Sequence, residues 1–316
     1  MGSETTIKIP IVDLSSQNLE PGTDNWFSVQ TQVCEALEEY GCFEAIYDEV
    51  PLELHNAMFN AIQEVLDLPL ETKIQNKPDK HFFGYFEESP ASPISEGTGI
   101  YGAPVLEQVQ SFTKLMWPQG NDPFCETVHS FSNRVLDLAK KVMGIIFEGY
   151  GVQKYYDSHA ESITALLRVN KYRGPAEINN HEAMIVIPSH TDKTFVTILQ
   201  QNHVNGLEIK PRNGEWVSVT PLAGSSIVMI GDAFLAWSNG RLHSPEHRVV
   251  HKGDKTRYSL ALFTFSKNLV QAPEELVDDE EHPLMFKPFD NIGLIDFYYT
   301  EEGQKVESPL KAYCGV

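Results

Sequence analysis

Cysteine is scarce in this chain: four among 316 residues (Cys34, Cys42, Cys125, Cys314), with no C-x-x-C pair. That density cannot staple a small secreted scaffold, so reduced thiols and a cytoplasmic setting are the expectation. Basic residues are also few, 24 Lys and Arg against 44 Asp and Glu, giving a net charge of −20. A surplus of that sign repels phosphate backbones and anionic lipid, which argues against nucleic-acid and membrane partners. No uncharged apolar run approaches the ~20 residues a bilayer requires, and MGSETTIKIP has neither the basic start nor the apolar stretch of a signal peptide. Gly2 and Thr6 do fit M-G-x-x-x-[ST], but Glu4 and the lack of a basic patch make that match read as chance. Low-complexity tracts, internal repeats and an inter-domain linker are absent, so a single domain over residues 1–316 is expected; a monomer is the default expectation, with nothing in the sequence that fixes the oligomeric state.

What is present divides into two grammars. The first half is helical around short strands. IPIVDL reads as a strand, and NWFSVQTQVCEALEEYG as a helix with Val29, Val33, Ala36, Leu37 and Tyr40 on one face and a stop at Gly41. CFEAIYD returns to strand and LELHNAMFNAIQEVLDL to helix. Residues 80–123, dense in Gly, Pro, Ser and aromatics, read as a long ordered loop or lid. From Phe124 to Tyr150, apolar residues at Val128, Phe131, Val135, Leu138, Val142 and Ile145 predict a long helix with one buried stripe.

After Ile163 the pattern becomes many short strands: ITALLRVNKY, TFVTILQQ, GLEIK, EWVSV, SSIVMIGD, EHRVVH and RYSLALFTF. Helices gathered before strands rather than alternating with them argue against a doubly wound sheet. The expectation is a mainly β fold with flanking helices, a sandwich, barrel or jelly roll. Its parts are a helical and lid segment over about 1–160, a strand core over about 161–268 and a C-terminal helical extension over about 269–316, with one helix in DNIGLIDFYYTEEGQK.

The chemistry sits inside the strands. In SHTDKTFVTILQQ, His190 and Asp192 would project to the same face of a strand, and His247 leads into another. Two imidazoles and a carboxylate suit non-haem Fe(II) with open coordination positions, although the spacing alone serves zinc or a simple capping pair equally well. Arg257 and Ser259 in RYSLALF also share a face, and an arginine beside a hydroxyl can clasp a carboxylate. A strand arginine in an apolar run needs an anion, either an internal acid such as Asp232 or a ligand.

H-T-D at 190–192, S-N-G-R-x-H-S-x-x-H-R-V around His247 and R-Y-S at 257–259 together resemble the plant 2-oxoglutarate-dependent dioxygenases. YGCFEAIYDEVP, MWPQGND, EELVDDEEHPLMFKPFD and LKAYCGV resemble more narrowly the glucosinolate side-chain dioxygenases and related lignan and steroidal-alkaloid oxygenases. The resemblance implies a double-stranded β-helix, or jelly roll, with N- and C-terminal helical buttresses. It implies Fe(II) held by His190, Asp192 and His247, 2-oxoglutarate held by Arg257 and Ser259, and Tyr172 and Asn170 near the cosubstrate. Here N-Y-Y-P-x-C has become N-K-Y-R-G-P, with NNHEAMIVIP as an insertion before the metal motif. His181 in that insertion is set aside as a ligand because the three-residue set is already complete.

The implied reaction uses O2, with ascorbate as a reductant, and oxidises a C–H bond of a small plant metabolite while forming succinate and CO2. Hydroxylation is the default outcome, and desaturation, ring closure and O-demethylation share its first step. Phe263 on the strand face of Arg257 and Ser259 is expected to meet substrate, as are Phe83, Tyr85, Tyr101, Met116 and Trp117 in the lid. A zinc-dependent hydrolase and a catalytically silent jelly-roll binding protein remain as alternatives, and neither requires the Arg257 and Ser259 clasp.

Overall fold

The computed structural model describes residues 8–16, 19–77, 82–89, 94–178, 182–278 and 280–316. In chain order the first elements are β1 (Ile11–Asp13), α1 (Asp24–Glu39), β2 (Cys42–Ile46), α2 (Leu52–Leu66) and α3 (Leu70–Lys73). β3 (Ser95–Tyr101), α4 (Leu106–Met116), α5 (Asp122–Gly149) and α6 (Tyr156–Ser162) follow. The strand-rich part contains β4 (Ile163–Tyr172), β5 (Met184–His190), β6 (Val196–Gln201), β7 (Leu207–Lys210), β8 (Val217–Ser218) and β9 (Ser226–Ile230). After α7 (Asp232–Trp237) come β10 (Glu246–His251) and β11 (Arg257–Ser266), and the chain closes with α8 (Asn291–Tyr298) and α9 (Pro309–Cys314).

Two sheets form the jelly-roll core. The larger runs β1-β2-β9-β6-β11-β4-β3 and the smaller β5-β10-β7-β8. At one end they pack directly, with Leu207, Ile209 and Val217 of the small sheet against Cys42, Ile227 and Met229 of the large one. The central pair, β4 and β11, runs antiparallel from Arg257 opposite Tyr172 to Ser266 opposite Ile163. Strand alternation divides this pair between two environments. Leu167, Val169, Leu260 and Leu262 join the core under the helices. Leu166, Ala261, Phe263 and Phe265 form a separate cluster on the opposite face.

α5 is the main buttress. Its stripe, from Val128 through Phe131, Val135, Leu138 and Val142 to Ile145, is fully buried, and the Asn121 side chain caps its start by accepting from the Phe124 amide at 3.2 Å. Gly41 ends the turn after α1 with φ +70°, in the left-handed region that glycine adopts without strain. A Cβ there would also collide with the His243 carbonyl and, at 2.7 Å, with Pro245 Cδ. The turn therefore holds the segment leading to His247 by close backbone approach. No helix among the described residues is long and apolar enough to cross a membrane.

Several local expectations change. Residues 80–123 are not simply a loop, since they contain β3 and α4. The glycines of SEGTGIY conceal the strand, and one reason for them is spatial: a Cβ at Gly97 would lie 2.5 Å from the Val169 carbonyl on the neighbouring strand. The insertion before the metal motif holds β5, which pairs with β10. The helix expected over DNIGLIDFYYTEEGQK ends at Tyr298, and α7 and α9 were not expected. Both are six residues long, too short to display a period. Gly2, Thr6 and His181 lie outside the described residues.

Candidate active site

His190 and His247 face each other across the β5–β10 ladder, with ring centroids 4.3 Å apart. Asp192 lies in the connection to β6, not on a strand shared with His190. The shared-strand expectation is thus corrected: the H-x-D spacing works here by turning the chain out of β5. His190 Nδ1 donates to the Pro188 carbonyl at 2.9 Å, and His247 Nδ1 donates to the Pro245 carbonyl at 3.2 Å. Carbonyls only accept, so each ring carries a proton on Nδ1, and Nε2 is the atom left to face Asp192. Those Nε2 atoms lie 3.8 and 3.7 Å from Asp192 Oδ1.

The other carboxylate oxygen, Oδ2, accepts from Thr197 Oγ1 at 2.7 Å, which orients Oδ1 toward the imidazoles. Two imidazole nitrogens and one carboxylate oxygen converge, with all three atoms within 4.8 Å of one another. His190 keeps 28% of its side chain accessible, yet enclosure by the surrounding walls, with neighbouring His247 second, pushes its pKa down to about 4. Its ring is neutral at pH 7. The donor types and their convergence fit a divalent metal with open positions.

Asp232 ties the segments carrying this set together. Its Oδ1 accepts from Ser244 Oγ at 2.7 Å and its Oδ2 from Thr191 Oγ1 at 3.0 Å, while Lys193 Nζ lies 2.9 Å from Oδ2. Its own amide donates to the Asp192 carbonyl at 2.7 Å. Asp232 therefore opens α7 and partners Lys193; it is not the counter-ion of Arg257. Gly231, just before it, packs so closely on Thr194 that a Cβ would strike the Thr194 carbonyl.

Arg257 is completely buried. Its Nη2 donates to Gln201 Oε1 at 2.8 Å and its guanidinium lies 5.0 Å from the Tyr172 ring centre. Nε and Nη1 have no partner among the described residues. Burial lowers its pKa, but no carboxylate among the described residues forms an ion pair with it. A buried guanidinium with two idle donors is a costly arrangement that an incoming carboxylate would relieve.

His190, Asp192, His247 and Arg257 line one cavity of about 340 Å³ between the sheets. Ser259, Tyr172, Asn170 and Phe263 line it too. Phe83, Tyr85, Tyr101, Met116 and Trp117 do not, which corrects the expectation that they face substrate. Met116 and Trp117 belong to the core under the helices. Phe83 packs on Tyr101 at 5.2 Å, and Tyr101 is 43% exposed. The Tyr85 hydroxyl donates to Glu96 at 3.0 Å.

Phe82, Phe86, Arg168, Tyr298 and Tyr299 take their place on the wall. Arg168 shares strand parity with Asn170 and Tyr172, a signal alternation could have supplied. Nothing local distinguishes Phe82 from Phe83. Tyr298 and Tyr299 arrive from α8 and the residue that follows it.

Comparison with known proteins gives this site a family. Residues 152–266 match the 2OG-Fe(II) oxygenase superfamily, and residues 9–100 match the N-terminal part described for a non-haem dioxygenase in morphine synthesis. A probable 2-oxoglutarate-dependent dioxygenase of Arabidopsis thaliana, AOP1.2, is 42% identical over 313 residues, 98% of this chain and 96% of the relative. This chain belongs to the 2-oxoglutarate-dependent dioxygenases.

The dioxygenase for auxin oxidation of rice superposes with a TM-score of 0.82 at 29% identity, covering 98% of this chain and 100% of that one. The 2-oxoglutarate complex of dioxygenase for auxin oxidation 1 from Arabidopsis thaliana gives 0.78 at 29% identity, covering 87% and 100%. In a dioxygenase of this family, Fe(II) and 2-oxoglutarate are the groups against which the cavity must be judged. The Nε2 pair with Asp192 Oδ1 and the idle donors of Arg257 fit a metal-ligand set and an anion clasp in one cavity.

Proposed function

We propose that His190, Asp192 and His247 hold Fe(II), and that this dioxygenase oxidises a C–H bond of a small plant metabolite while converting 2-oxoglutarate to succinate and CO2. The bound metal supplies the redox chemistry, and the protein supplies orientation and exclusion of water. Arg257 and Ser259 clasp the distal carboxylate of 2-oxoglutarate. Tyr172 packs beside that clasp, with Asn170 opposite Ser259 in the β4–β11 register. Phe263, further along the same strand face, contributes the apolar wall on the substrate side.

The observation that carries the reading is Arg257, a fully buried cation whose Nε and Nη1 lack partners among the described residues. Neither a hydrolytic metal site nor a silent pocket needs a second anion clasp beside three metal ligands. The relative from Arabidopsis thaliana solved as a complex with 2-oxoglutarate supports the same cosubstrate here. The chain acts as one unit, an inference supported by a core cluster that includes residues from Val12 to Cys314.

The test is succinate formation by purified protein with Fe(II), ascorbate, 2-oxoglutarate and O2, supplied with fractions of plant small molecules, beside Asp192→Ala. Fraction-dependent succinate that disappears in the variant is the expected outcome. Turnover that persists without O2 would point to hydrolysis, and ligand binding without consumption of 2-oxoglutarate would point to a silent binding protein.

A further inference from the structure

Arg168 is a second cation in the same cavity, and the cosubstrate reading does not use it. It sits on β4 opposite Ala261, four positions along the ladder from the Tyr172–Arg257 pair. At strand rise that is roughly 13 Å of backbone separation along the sheet, and the two guanidinium groups pack on different rings, Tyr172 for Arg257 and Phe82 and Phe86 for Arg168. Its guanidinium carbon lies 4.8 Å from the Phe82 ring centre and 4.6 Å from that of Phe86, and Nη1 donates to the Phe82 carbonyl. One such bond occupies one of five N–H donors. Burial lowers its pKa only to about 10, so it remains charged at pH 7.

Apart from Arg257, the cations that flank Arg168 along this strand and at the cavity have acidic partners. Lys171 Nζ lies 2.7 Å from Asp67, Arg173 lies 2.6 Å from Glu88, and Lys193 pairs with Asp232. Arg168 has no carboxylate within 4 Å among the described residues. In a chain of net charge −20, two guanidinium groups in one cavity with no carboxylate partner among the described residues form a local positive region that favours anions. The wall beside Arg168 is aromatic: Phe82 meets Phe263 edge-on at 5.3 Å and Tyr299 at 6.5 Å.

We propose that Arg168 binds a carboxylate on the molecule being oxidised, so that the substrate is a small organic acid whose apolar body rests on Phe82, Phe263 and Tyr299. The planar guanidinium matches a carboxylate through paired N–H donors. The proposal rests on the reading that the cavity also takes 2-oxoglutarate at Arg257, and its test separates the two.

Binding of arylalkanoic acids of graded length, each beside its own primary amide, is measured by calorimetry at pH 7. The protein is loaded with Mn(II) and saturated with 2-oxoglutarate. At least one acid is expected to bind about tenfold or more tightly than its amide. Arg168→Gln removes that preference and leaves amide and 2-oxoglutarate affinities unchanged, whereas Arg168→Lys keeps part of it. The proposal is overturned if acids and amides bind alike throughout the series, or if the preference survives in Arg168→Gln. Loss of 2-oxoglutarate affinity in Arg168→Gln also overturns it and makes Arg168 part of the cosubstrate clasp. Failure of the cosubstrate reading is recognised separately, as 2-oxoglutarate affinity in the wild type that is absent or insensitive to Arg257→Gln.

Discussion

At the scale of single residues, the site depends on which atom of each side chain is already occupied. Asp192 has one oxygen taken by Thr197 and the other turned toward two imidazole nitrogens. Thr197→Val should free that carboxylate to rotate and weaken metal affinity by about 10- to 100-fold, measured by metal titration. Unchanged affinity would show that the hydroxyl is incidental. Arg257→Gln should cost about 2 to 5 kcal/mol of 2-oxoglutarate binding if its ion pair with the cosubstrate is buried. Metal affinity without cosubstrate should stay at the wild-type value, and a titration giving equal 2-oxoglutarate affinity in both proteins would remove Arg257 from the clasp. The residue types at 190, 192, 247, 257 and 259 were legible from the chain. The tautomers were not, because they depend on carbonyls that only the folded backbone brings to each Nδ1.

At the scale of elements, periodicity explains what could be read and what could not. α5 announces itself through an apolar stripe that runs from Val128 to Ile145, whereas six-residue α7 does not. β4 and β11 show their two faces by alternation, yet β3 is hidden by glycines required for close approach to β4. Gly231 before α7 is such a contact as well, and Gly231→Ala should destabilise the protein by about 1 to 3 kcal/mol, visible in denaturant unfolding. α6 carries a pH-sensitive group: His159 is buried against Phe147 and Phe195, and burial pushes its pKa from 6.5 down to about 4. Because the unfolded chain takes up that proton first, stability contributed by the neutral ring is full above pH 6.5 and is lost as pH falls toward 4. The loss amounts to about 3 kcal/mol. His159→Leu should flatten the stability profile by that amount across the window, and parallel wild-type and variant profiles in urea unfolding would disprove it.

At the scale of the whole molecule, the candidate metal set and the proposed anion clasp come from different sheets. His190 and His247 stand on the small sheet, while Arg257 and Ser259 stand on the large one. A ligand held by both should link them and stabilise the fold by mass action, about 2.7 kcal/mol at a concentration one hundred times its Kd. Thermal unfolding should therefore rise with metal, and rise again when 2-oxoglutarate is added. Arg257→Gln should keep the first increment and lose the second, whereas a second increment retained in the variant would contradict the assignment. What the sequence determined by itself was local: the faces of strands and helices, hence the parity that groups Asn170 with Tyr172 and Arg257 with Ser259 and Phe263. It also determined the kinds of side chain available for chemistry. Tertiary structure alone decided that Phe82 rather than Phe83 lines the cavity, that Asp232 serves Lys193 rather than Arg257, and that Tyr298 and Tyr299 reach the site. Periodicity fixes which side of an element a residue occupies, but the partner it meets there depends on long-range pairing between sheets and loops, which no local pattern encodes.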